Sequence, residues 1–591
     1  SVTCSRSPAA STSAMVMALP PPACATGIAS SARLASTEAH AGSLQDVPIS
    51  IYAMSGEELQ RQGFKDLRGM SDFSPTVQFD DTSIIGPTIS IRGFGTTGNT
   101  VTLESAVPIF VDNLHYSRQS MIKTAFLDVE AVEILKGPQP VYFGQNATAG
   151  AFNIRSKRPT PEWDGDILFE YGDRKNQSVQ AAIGGPVTDT VGIRAAITYD
   201  QEGGFLKHIV TGEGVGKTEN LGGRFTLQWQ PSDRLTLLGK VDAANLDRDA
   251  EAHTICWEGG STYEDNDPTG EPISATGIFV DPPHGIGWNT PLVTKLQPTE
   301  DCYDTKYGIT AGGPFYAPPV NSRARDARRG HPDVRLAAAG FMNNSSVPGW
   351  FDKETTNEGI EPYEDLRTRT ALLVGEYEFV NGMTAEWNAG YVRYLRDYSR
   401  DNQNSPFFDN FQGREEDYHQ WSTELRVNSP LGGMFEWVVG AFYAQIDRFY
   451  TQRLPTPGYD AFTDARFGAG TAAATTRIGF PRNSPYAADL PYDIRQTAVF
   501  GEGSYDITPR ITVTAGGRYY EFEEERRFTS SGLFSNLDDR TDRTTSNGFS
   551  PRLIATYEVV DDVRLNAQVS KGFRLGGVND PLNIPLCSPG D

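Results

Sequence analysis

The stretch Val132–Ile154, VEILKGPQPVYFGQNATAGAFNI, begins like a buried strand and then becomes rich in glycine, proline and small residues. It contains no nucleophile–base pair and no metal-ligand spacing. Glycine between two apolar runs permits tight turns and close backbone approach, because it has no Cβ and adopts positive φ readily. The stretch therefore predicts a shaped, closely packed segment and not a reaction centre.

The bulk composition excludes several classes of protein. The chain has 591 residues, of which 38% are hydrophobic, and a formal net charge of −23. This length predicts at least two structural units. The acidic balance argues against nucleic-acid binding, which needs a basic face. No apolar run reaches the roughly 18 residues of a transmembrane helix, whereas barrel strands alternate and look polar on average.

The cysteines give no zinc motif. They are Cys4, Cys24, Cys256, Cys302 and Cys587, and none forms a C-x-x-C pair. Cys256 and Cys302 lie in one long polar segment, so either a disulfide in an oxidising compartment or two free thiols fits the sequence. We expect no cofactor and no resident metal.

The N-terminal part of the chain divides into two segments. Residues 1–43 are rich in Ala, Ser and Pro and are predicted to be disordered or non-native. Residues 44–161 predict a compact α+β unit with short strands separated by turns. In it, Ser55 and Glu58 have the spacing of a capping box, in which each side chain bonds the other's backbone amide.

Residues 162–591 follow a strict period of two. In RITVTAGGRYY, for example, Ile511 and Val513 share one face, while Thr512 and Thr514 share the other. This alternation predicts a two-faced antiparallel sheet.

Short and long connections alternate between these predicted strands. The short ones lie near 184–190, 230–234, 379–383, 429–434, 506–510 and 559–562, and the long ones near 201–218, 248–366, 397–416, 450–492 and 527–547. Outer-membrane barrels have short periplasmic turns and long extracellular loops. A closed barrel also removes the sheet edges that lipid does not tolerate.

The strand count predicts an incomplete barrel. The pattern gives about thirteen strands, whereas bacterial single-chain barrels have an even number and plugged ones about 22. We therefore expect the chain to be truncated, with further strands following residue 591. The fold class predicted is mainly β: a transmembrane antiparallel barrel with an N-terminal α+β plug domain inside its lumen.

Several motifs resemble TonB-dependent outer-membrane receptors in order and spacing. The plug of that family resembles SLQDVPISI (43–51), PTISIRGFG (87–95), VPIFVDN (107–113) and FLDVEAVEILKGPQPVYFGQNATAGAFNIRSKRP (126–159). Its barrel strands resemble WSTELRV (421–427), FGEGSYDITPRITVTAGGRY (500–519) and VSKGFRLGGVN (569–579). No TonB box and no readable signal peptide precede Ser43.

The resemblance implies a location and a function. It implies a Gram-negative outer-membrane receptor of the 22-stranded type that takes up a scarce ligand with energy from the inner-membrane TonB complex. The commonest cargo of the family, a ferric siderophore, is the expected ligand. Alternatives are a receptor for a glycan or another small molecule, or a surface binding or adhesion barrel without energised transport.

No enzymatic motif competes with this interpretation. Residues 93–98 fit the dinucleotide pattern G-x-G-x-x-G, but no helix follows to meet a phosphate. A plug loop is the better interpretation, and enzymatic activity is not expected.

The resemblance also assigns candidate site residues. Those of the plug motif are Ile91, Arg92, Gly93, Lys136, Gly137, Pro138, Gly144, Asn146 and Gly150. A plug–barrel lock is predicted in which Arg92 and Lys136 pair with Glu424 and Glu502; the alternative is that these glutamates face lumen water. The candidate ligand contacts at the plug apex are Phe94, Thr96, Asn99, Tyr116 and Arg118.

Overall fold

A computed structural model describes most of the chain outside the N-terminal segment and the longest loop. The described residues are 13–17, 49–64, 67–74, 76–80, 87–96, 105–144, 146–204, 206–207, 214–215, 217–249, 280–281, 285–286, 363–401, 411–454, 459–560 and 563–576. Asn99, Cys256 and Cys302 lie outside these ranges, and so do the other three cysteines. The structure therefore does not address whether Cys256 and Cys302 form a disulfide or remain free thiols.

The plug is a small α+β unit built on two sheets. One sheet has the strand order β2-β8-β9-β6-β7 and the other β3-β4-β5. β6 runs parallel to β9, and the other pairings are antiparallel. Its elements are β2 (Ser50–Ser55), α1 (Gly56–Gln62), α2 (Leu67–Phe73), β3 (Val77–Asp80), β4 (Thr88–Ile91), β5 (Phe94–Gly95), β6 (Ile109–Val111), β7 (Leu114–Tyr116), a 3-10 helix (Gln119–Thr124), β8 (Val129–Lys136) and β9 (Gly150–Ser156).

Half of the predicted capping box forms at α1. Ser55 Oγ accepts from the Glu58 amide at 3.2 Å, and Gly63 ends the helix with φ 70°. The predicted contact from the Glu58 side chain back to the Ser55 amide is wrong. The Glu58 carboxylate instead lies along the helix, 2.7 Å from Gln62 Nε2 and 2.8 Å from Arg61. These i,i+3 and i,i+4 partners compete with the reach back to the cap.

A large antiparallel sheet follows the plug. Its strand order is β1-β10-β11-β12-β15-β16-β19-β20-β21-β22-β23-β24-β25-β26, so thirteen long strands carry the short strand β1 at one end. The strands are β1 (Ser13–Met17), β10 (Asp164–Tyr171), β11 (Gln177–Thr188), β12 (Val191–Glu202), β15 (Thr218–Ser232), β16 (Leu235–Asp249), β19 (Tyr363–Glu378), β20 (Thr384–Asp401), β21 (Phe411–Asn428), β22 (Phe435–Arg453), β23 (Ala487–Thr508), β24 (Ile511–Ser531), β25 (Asp539–Val560) and β26 (Val563–Ser570).

The remaining elements lie in the connections. They are a 3-10 helix (Asp173–Lys175), β13 (Leu206–Lys207), β14 (Gly214–Val215), β17 (Val280–Asp281), β18 (Gly285–Ile286), α3 (Tyr459–Phe467) and α4 (Thr471–Thr475). Among the described residues, no helix is both long and apolar enough to cross a membrane. Within residues 1–43, which were predicted to be disordered or non-native, the described residues Ser13–Met17 pair with β10.

The predicted alternation holds through all thirteen long strands. Outward positions carry odd numbers, as at Ile197, Leu373 and Trp421, which are 58%, 56% and 60% exposed. Inward positions carry even numbers and are mostly buried. Only Val560, at the bulged end of β25, is an exposed large apolar residue of these strands with an even number. The outer wall therefore presents an apolar surface suited to lipid.

The sorting of connections by length is also present. The short turns fall after β11, β15, β19, β21, β23 and β25, all at one rim of the sheet. The connections at the other rim are mostly longer, but they are shorter than expected because the strands run on. β24 continues to Ser531 and β25 begins at Asp539, so the connection predicted at 527–547 is brief.

The plug packs inside the concave face of this sheet. Met121 and Ile122 of the plug belong to the same buried apolar cluster as Leu366 and Val392 of the wall. A Cβ on Gly390 would lie 1.9 Å from Leu114 Cδ2, so glycine at this wall position makes room for the plug side chain. This packing brings charged groups of the plug against inward positions of the strands.

Candidate functional site

The plug apex meets the wall through one buried ion-pair cluster. Arg118, just before the 3-10 helix Gln119–Thr124, places its Nε 2.9 Å from Glu416 Oε1 on β21. Arg448 on β22 donates to the same oxygen at 2.7 Å. These three side chains are at most 9% exposed. A plug arginine and a wall arginine thus share one carboxylate.

The wall around this cluster is lined by arginine and tyrosine. Arg396 pairs with Glu364 at 2.7 Å, and its guanidinium lies 4.1 Å from the Tyr398 ring centroid. Arg448 lies 4.9 Å from the Tyr492 ring. We call the following inward residues the lumen belt: Arg248, Glu364, Tyr394, Arg396, Tyr398, Glu416, Tyr418, Arg448, Tyr450 and Tyr492.

The lumen belt is cationic and aromatic. Its arginines, together with Arg118, outnumber its glutamates by four to two. The Tyr394 hydroxyl lies 2.6 Å from Ser120 Oγ, so the belt touches the plug at a second point. Arginine forks bind oxyanions, and tyrosine faces stack on flat groups. These group types suit an anionic, aromatic ligand, and in the structure they lie buried next to the plug apex.

Closer to the short turns the polarity of the interface reverses. Asp128 of the plug accepts two hydrogen bonds from Arg194 on β12, the Nη2 one at 2.8 Å. Asp112 pairs with Lys240 on β16, and it also accepts from the Ser156 amide at 2.9 Å. Here the plug supplies the acids and the wall supplies the bases.

The Asp112 turn is set by local backbone geometry. Asp112 and Asn113 have φ 48° and 69° and join β6 to β7. Two positive φ values in a two-residue hairpin give the type I′ turn that Asp and Asn favour. Asn113 Nδ2 donates to Glu386 Oε1 at 3.1 Å, so both turn residues contact the wall.

The predicted lock pairs differently in the structure. Glu424 pairs with Arg426 on its own strand. Glu502 pairs with Arg552 on β25 at 3.3 Å and touches the plug through the Tyr142 hydroxyl. Wall arginines occupy inward positions beside both glutamates. The charge of each carboxylate is therefore neutralised by the wall and not by Arg92 or Lys136 of the plug.

Arg92 and Lys136 lie elsewhere in the plug. Both line a cleft of about 740 Å³ that is closed on one side by Asn566, Gln568 and Ser570 of β26. Burial, and secondarily the charge of Arg92, lowers the pKa of Lys136. Among the described residues, neither cation has a carboxylate in contact.

The breaker stretch Val132–Ile154 packs against the wall as a series of turns with positive φ. Gly137, Gly144 and Asn146 have φ 93°, 68° and 63°, and Pro138 follows the first of them. Asn146 Oδ1 accepts from the Leu575 amide at 3.3 Å, beyond the end of β26. A Cβ on Gly144 would lie 2.9 Å from Arg518 Cζ of the wall.

The surroundings of Gly150 and Gly93 show why the motif has glycine at these two positions. A Cβ on Gly150 would lie 2.1 Å from the Leu135 carbonyl and 2.8 Å from Ile91 Cδ1, which is fully buried. Gly93 has φ 78° with open space around it. The motif thus combines close approach at some positions with turn geometry at others.

The candidate ligand contacts are separated by the structure. Phe94 is 72% exposed, whereas Thr96 Oγ1 accepts from the Ala106 amide inside the plug at 2.7 Å. Tyr116 is buried, and burial raises its pKa above the usual range. Arg118 contacts the lumen belt through Glu416.

A small cavity lies between the plug and β20–β24. It has a volume of about 40 Å³ and is lined by Phe110, His115, Glu424, Arg426 and Arg518, among others. Burial lowers the pKa of His115 to about 4. This volume holds a few water molecules at most. Within the described parts of the chain, no three His, Cys, Asp or Glu side chains form a set of metal ligands.

The sequence analysis missed the plug acids Asp112 and Asp128 with their wall partners Lys240 and Arg194. It also missed the wall pair of Glu416 and Arg448. A signal was present for the wall residues. Arg194 in VGIRAAITY is an isolated charge at an inward position among apolar residues, whereas Lys240 in LTLLGKVDA shares the inward face with Asp242 two residues later. A single inward charge in such a strand needs a partner inside the barrel.

Two family models match the chain. The TonB-dependent Receptor Plug Domain matches residues 43–151, and the TonB dependent receptor-like beta-barrel matches residues 303–585. Together they cover more than half of the 591 residues. The chain belongs to the TonB-dependent receptor family. The receptor is accordingly an outer-membrane β-barrel protein with a plug domain.

Curated relatives of the receptor are distant. An iron-regulated outer membrane virulence protein of Vibrio cholerae is 23% identical over 34% of this chain and 32% of its own length. The pesticin receptor of Yersinia enterocolitica is 23% identical over 40% of this chain and 34% of its own length. The matches thus span about a third of these relatives.

Solved structures share the fold of the receptor. The ferric yersiniabactin uptake receptor of Yersinia pestis has a TM-score of 0.64 at 16% identity, covering 91% of this chain and 66% of that one. The ferripyoverdine receptor of Pseudomonas aeruginosa has a TM-score of 0.57 at 16% identity, covering 93% and 59%. At these identities the likeness concerns the fold.

Proposed function

We propose that the receptor binds a ferric siderophore in its lumen and passes it to the periplasm with energy from the TonB complex. The observation that carries this proposal is the lumen belt joined to the plug apex by Arg118 and Glu416. Ferric siderophores combine anionic oxygens with flat aromatic or conjugated groups, which match the guanidinium and tyrosine groups of the belt. The names of the structural neighbours, which refer to yersiniabactin, pyoverdine and catecholate iron chelates, agree with this cargo.

Arg118 would couple ligand binding at the wall to the position of the plug. An anionic chelate that attracts Arg448 would weaken its hold on Glu416, which also pairs with Arg118. Phe94, exposed on the plug, is a further candidate contact. Under this proposal the ligand is carried unchanged, so the receptor needs no catalytic residues. The division between plug and barrel is proposed at residues 161 and 162, between β9 and β10.

The test is uptake of radioactive iron by cells that lack their own siderophore receptors and express this chain. Catecholate, phenolate and hydroxamate chelates form the panel. Arg448→Gln is expected to weaken binding of the accepted chelate about tenfold, the loss of one charge-assisted contact. Arg495→Gln, on the outer wall and paired with Asp493 at 3.0 Å, is the matched control.

Two further measurements separate transport from simple binding. Uptake should stop in cells without TonB, whereas binding at the surface should persist. Surface binding without uptake in cells that have TonB would leave a binding barrel, and uptake independent of TonB would contradict energised transport. Binding of neutral oligosaccharides in preference to every ferric chelate would replace the proposed cargo with a glycan.

A further inference from the structure

The outward face of β19–β21 carries a short row of two arginines and a histidine. Arg369 lies directly opposite Arg393, which lies directly opposite His419. All three have odd numbers and point away from the lumen, as Leu373 and Trp421 on the same strands do. Opposite residues on one face of an antiparallel pair are about 5 Å apart, and like charges there repel.

Neutral oxygens and one carboxylate contact this row. Arg369 donates to three neutral oxygens, those of Ala244, Thr368 and Asn245, at 2.7–2.8 Å. Arg393 reaches Asp417 at 3.5 Å, and the same carboxylate lies 3.1 Å from His419 Nε2. Among the described residues, Asp417 is the one carboxylate in contact with the row.

The row lies just beyond the aromatic part of the outer wall. The Tyr391 and Trp421 rings are 4.5 Å apart, and the Tyr391 hydroxyl lies 2.8 Å from His419 Nδ1. Towards the short turns follow exposed Leu373 and Leu425. Aromatic girdles mark the interface between lipid and water. The row therefore lies at headgroup level, on the side of the longer loops.

On the side of the longer loops, the row is followed by a layer of acidic residues. Asp365, Asp397 and Glu415 lie directly opposite one another, further towards the longer loops. An anion that binds the row is thereby confined to one level. The sequence of layers along the wall is apolar, aromatic, cationic and acidic.

We propose that the row of Arg369, Arg393 and His419 binds a phosphate of the glycolipid headgroup in the outer leaflet. The acyl chains of the same molecule lie along Leu373 and Leu425. A phosphate between the two guanidiniums replaces their repulsion by charge-assisted hydrogen bonds, which arginine makes in bidentate form. Basic side chains at headgroup level are a general means of recognising anionic lipid.

The experiment measures lipid binding by the purified full chain in detergent with native mass spectrometry. The probes are bisphosphoryl lipid A and the same lipid with its phosphates removed. The double variant Arg369→Gln/Arg393→Gln is expected to lower the affinity for the phosphorylated lipid about tenfold, which is about 1.4 kcal/mol. Arg495→Gln, another exposed outer-wall arginine, should leave the affinity unchanged.

Three outcomes would overturn the proposal. They are equal binding of the two lipids, an equal loss in Arg495→Gln, and full displacement of the lipid by inorganic phosphate, which would indicate a free-anion site. Arg369→Lys/Arg393→Lys keeps the charges but removes the forks and should retain part of the affinity. Heat-modifiable mobility on gels checks that every variant is folded.

Discussion

Ion pairs with similar bond lengths lie on opposite sides of the same wall. Inside, Arg118 and Arg448 meet Glu416 at 2.9 and 2.7 Å, and all three side chains are at most 9% exposed. Outside, Arg367 meets Asp365 at 2.6 Å with its side chain 53% exposed. Distance alone does not distinguish them. The difference is that water can replace a lost partner outside, whereas inside a charge is left in a dry environment.

Glu416→Gln should have the largest effect. The substitution keeps the shape of the side chain but leaves Arg118 and Arg448 without the carboxylate that they share. Breaking a buried pair in this way costs about 3–5 kcal/mol. The midpoint of plug release in urea, followed with a fluorophore on the plug, measures the loss.

A matched control for this prediction exists in the same belt. Glu364 pairs with Arg248 and Arg396, both on the barrel wall. Glu364→Gln should lower barrel stability while moving the plug-release midpoint much less. If the two variants released the plug equally, Glu416 would have no special part in holding it.

His115 should make plug stability depend on pH. Burial lowers its folded pKa to about 4 from an ordinary value of 6.5. The unfolded chain therefore binds the proton more readily between about pH 4 and 6.5, and the contribution of this group is complete above that window and lost as pH falls through it. The expected loss by about pH 4 is roughly 3 kcal/mol.

His115→Leu separates this contribution from other acid effects. The variant should show a flatter dependence of the urea midpoint between pH 6.5 and 4. Glu424, Arg426 and Arg518 share the cavity with His115 and remain in the variant. An unchanged pH profile would show that another group titrates.

A pair of glycine variants sharpens the comparison inside the plug. Gly144→Ala places a methyl group 2.9 Å from Arg518 Cζ at φ 68°, whereas Gly93→Ala at φ 78° meets open space. Positive φ alone costs about 1 kcal/mol, and the wall contact should raise the loss at Gly144 to about 2–3 kcal/mol. Chemical unfolding of both variants measures the difference. Equal losses would mean that Arg518 moves aside freely.

Arg367→Gln should have the smallest effect. Its pair with Asp365 is exposed, so the change should alter the free energy of unfolding by at most about 0.5 kcal/mol. Thermal unfolding beside Glu416→Gln makes the comparison direct. A loss at Arg367 as large as the loss at Glu416 would contradict the role given to burial.

The fold was predictable because its signals are local and repeated. Alternation in stretches such as RITVTAGGRYY gave the two faces of β24, and the strand alternation held. The short turns followed from their own residues, and the glycines of the breaker stretch mark positions where φ is positive or a Cβ would clash. The lengths of the loops were predicted less accurately, because β24 and β25 extend through polar sequence that was assigned to a loop.

The site was predictable only in part because its contacts join distant residues. Nothing local to Arg118 names Glu416, almost three hundred positions away, as its partner. Glu424 and Glu502 were singled out correctly as inward carboxylates, but Arg426, on the same strand as Glu424, and Arg552, on β25, neutralise them. Which of several inward charges meets the plug depends on the depth at which the plug is seated.

The constant parity of the strands has a consequence for how the gene tolerates changes of length. Because even-numbered residues face inward on every long strand, losing one codon within a strand would exchange the lipid and lumen faces up to the next loop. Losing two codons there would shorten the strand but keep its faces. A change of any length in a loop leaves the faces intact. Length variation among descendants of this gene should therefore collect in the loops, and where it enters a strand it should come in pairs of codons.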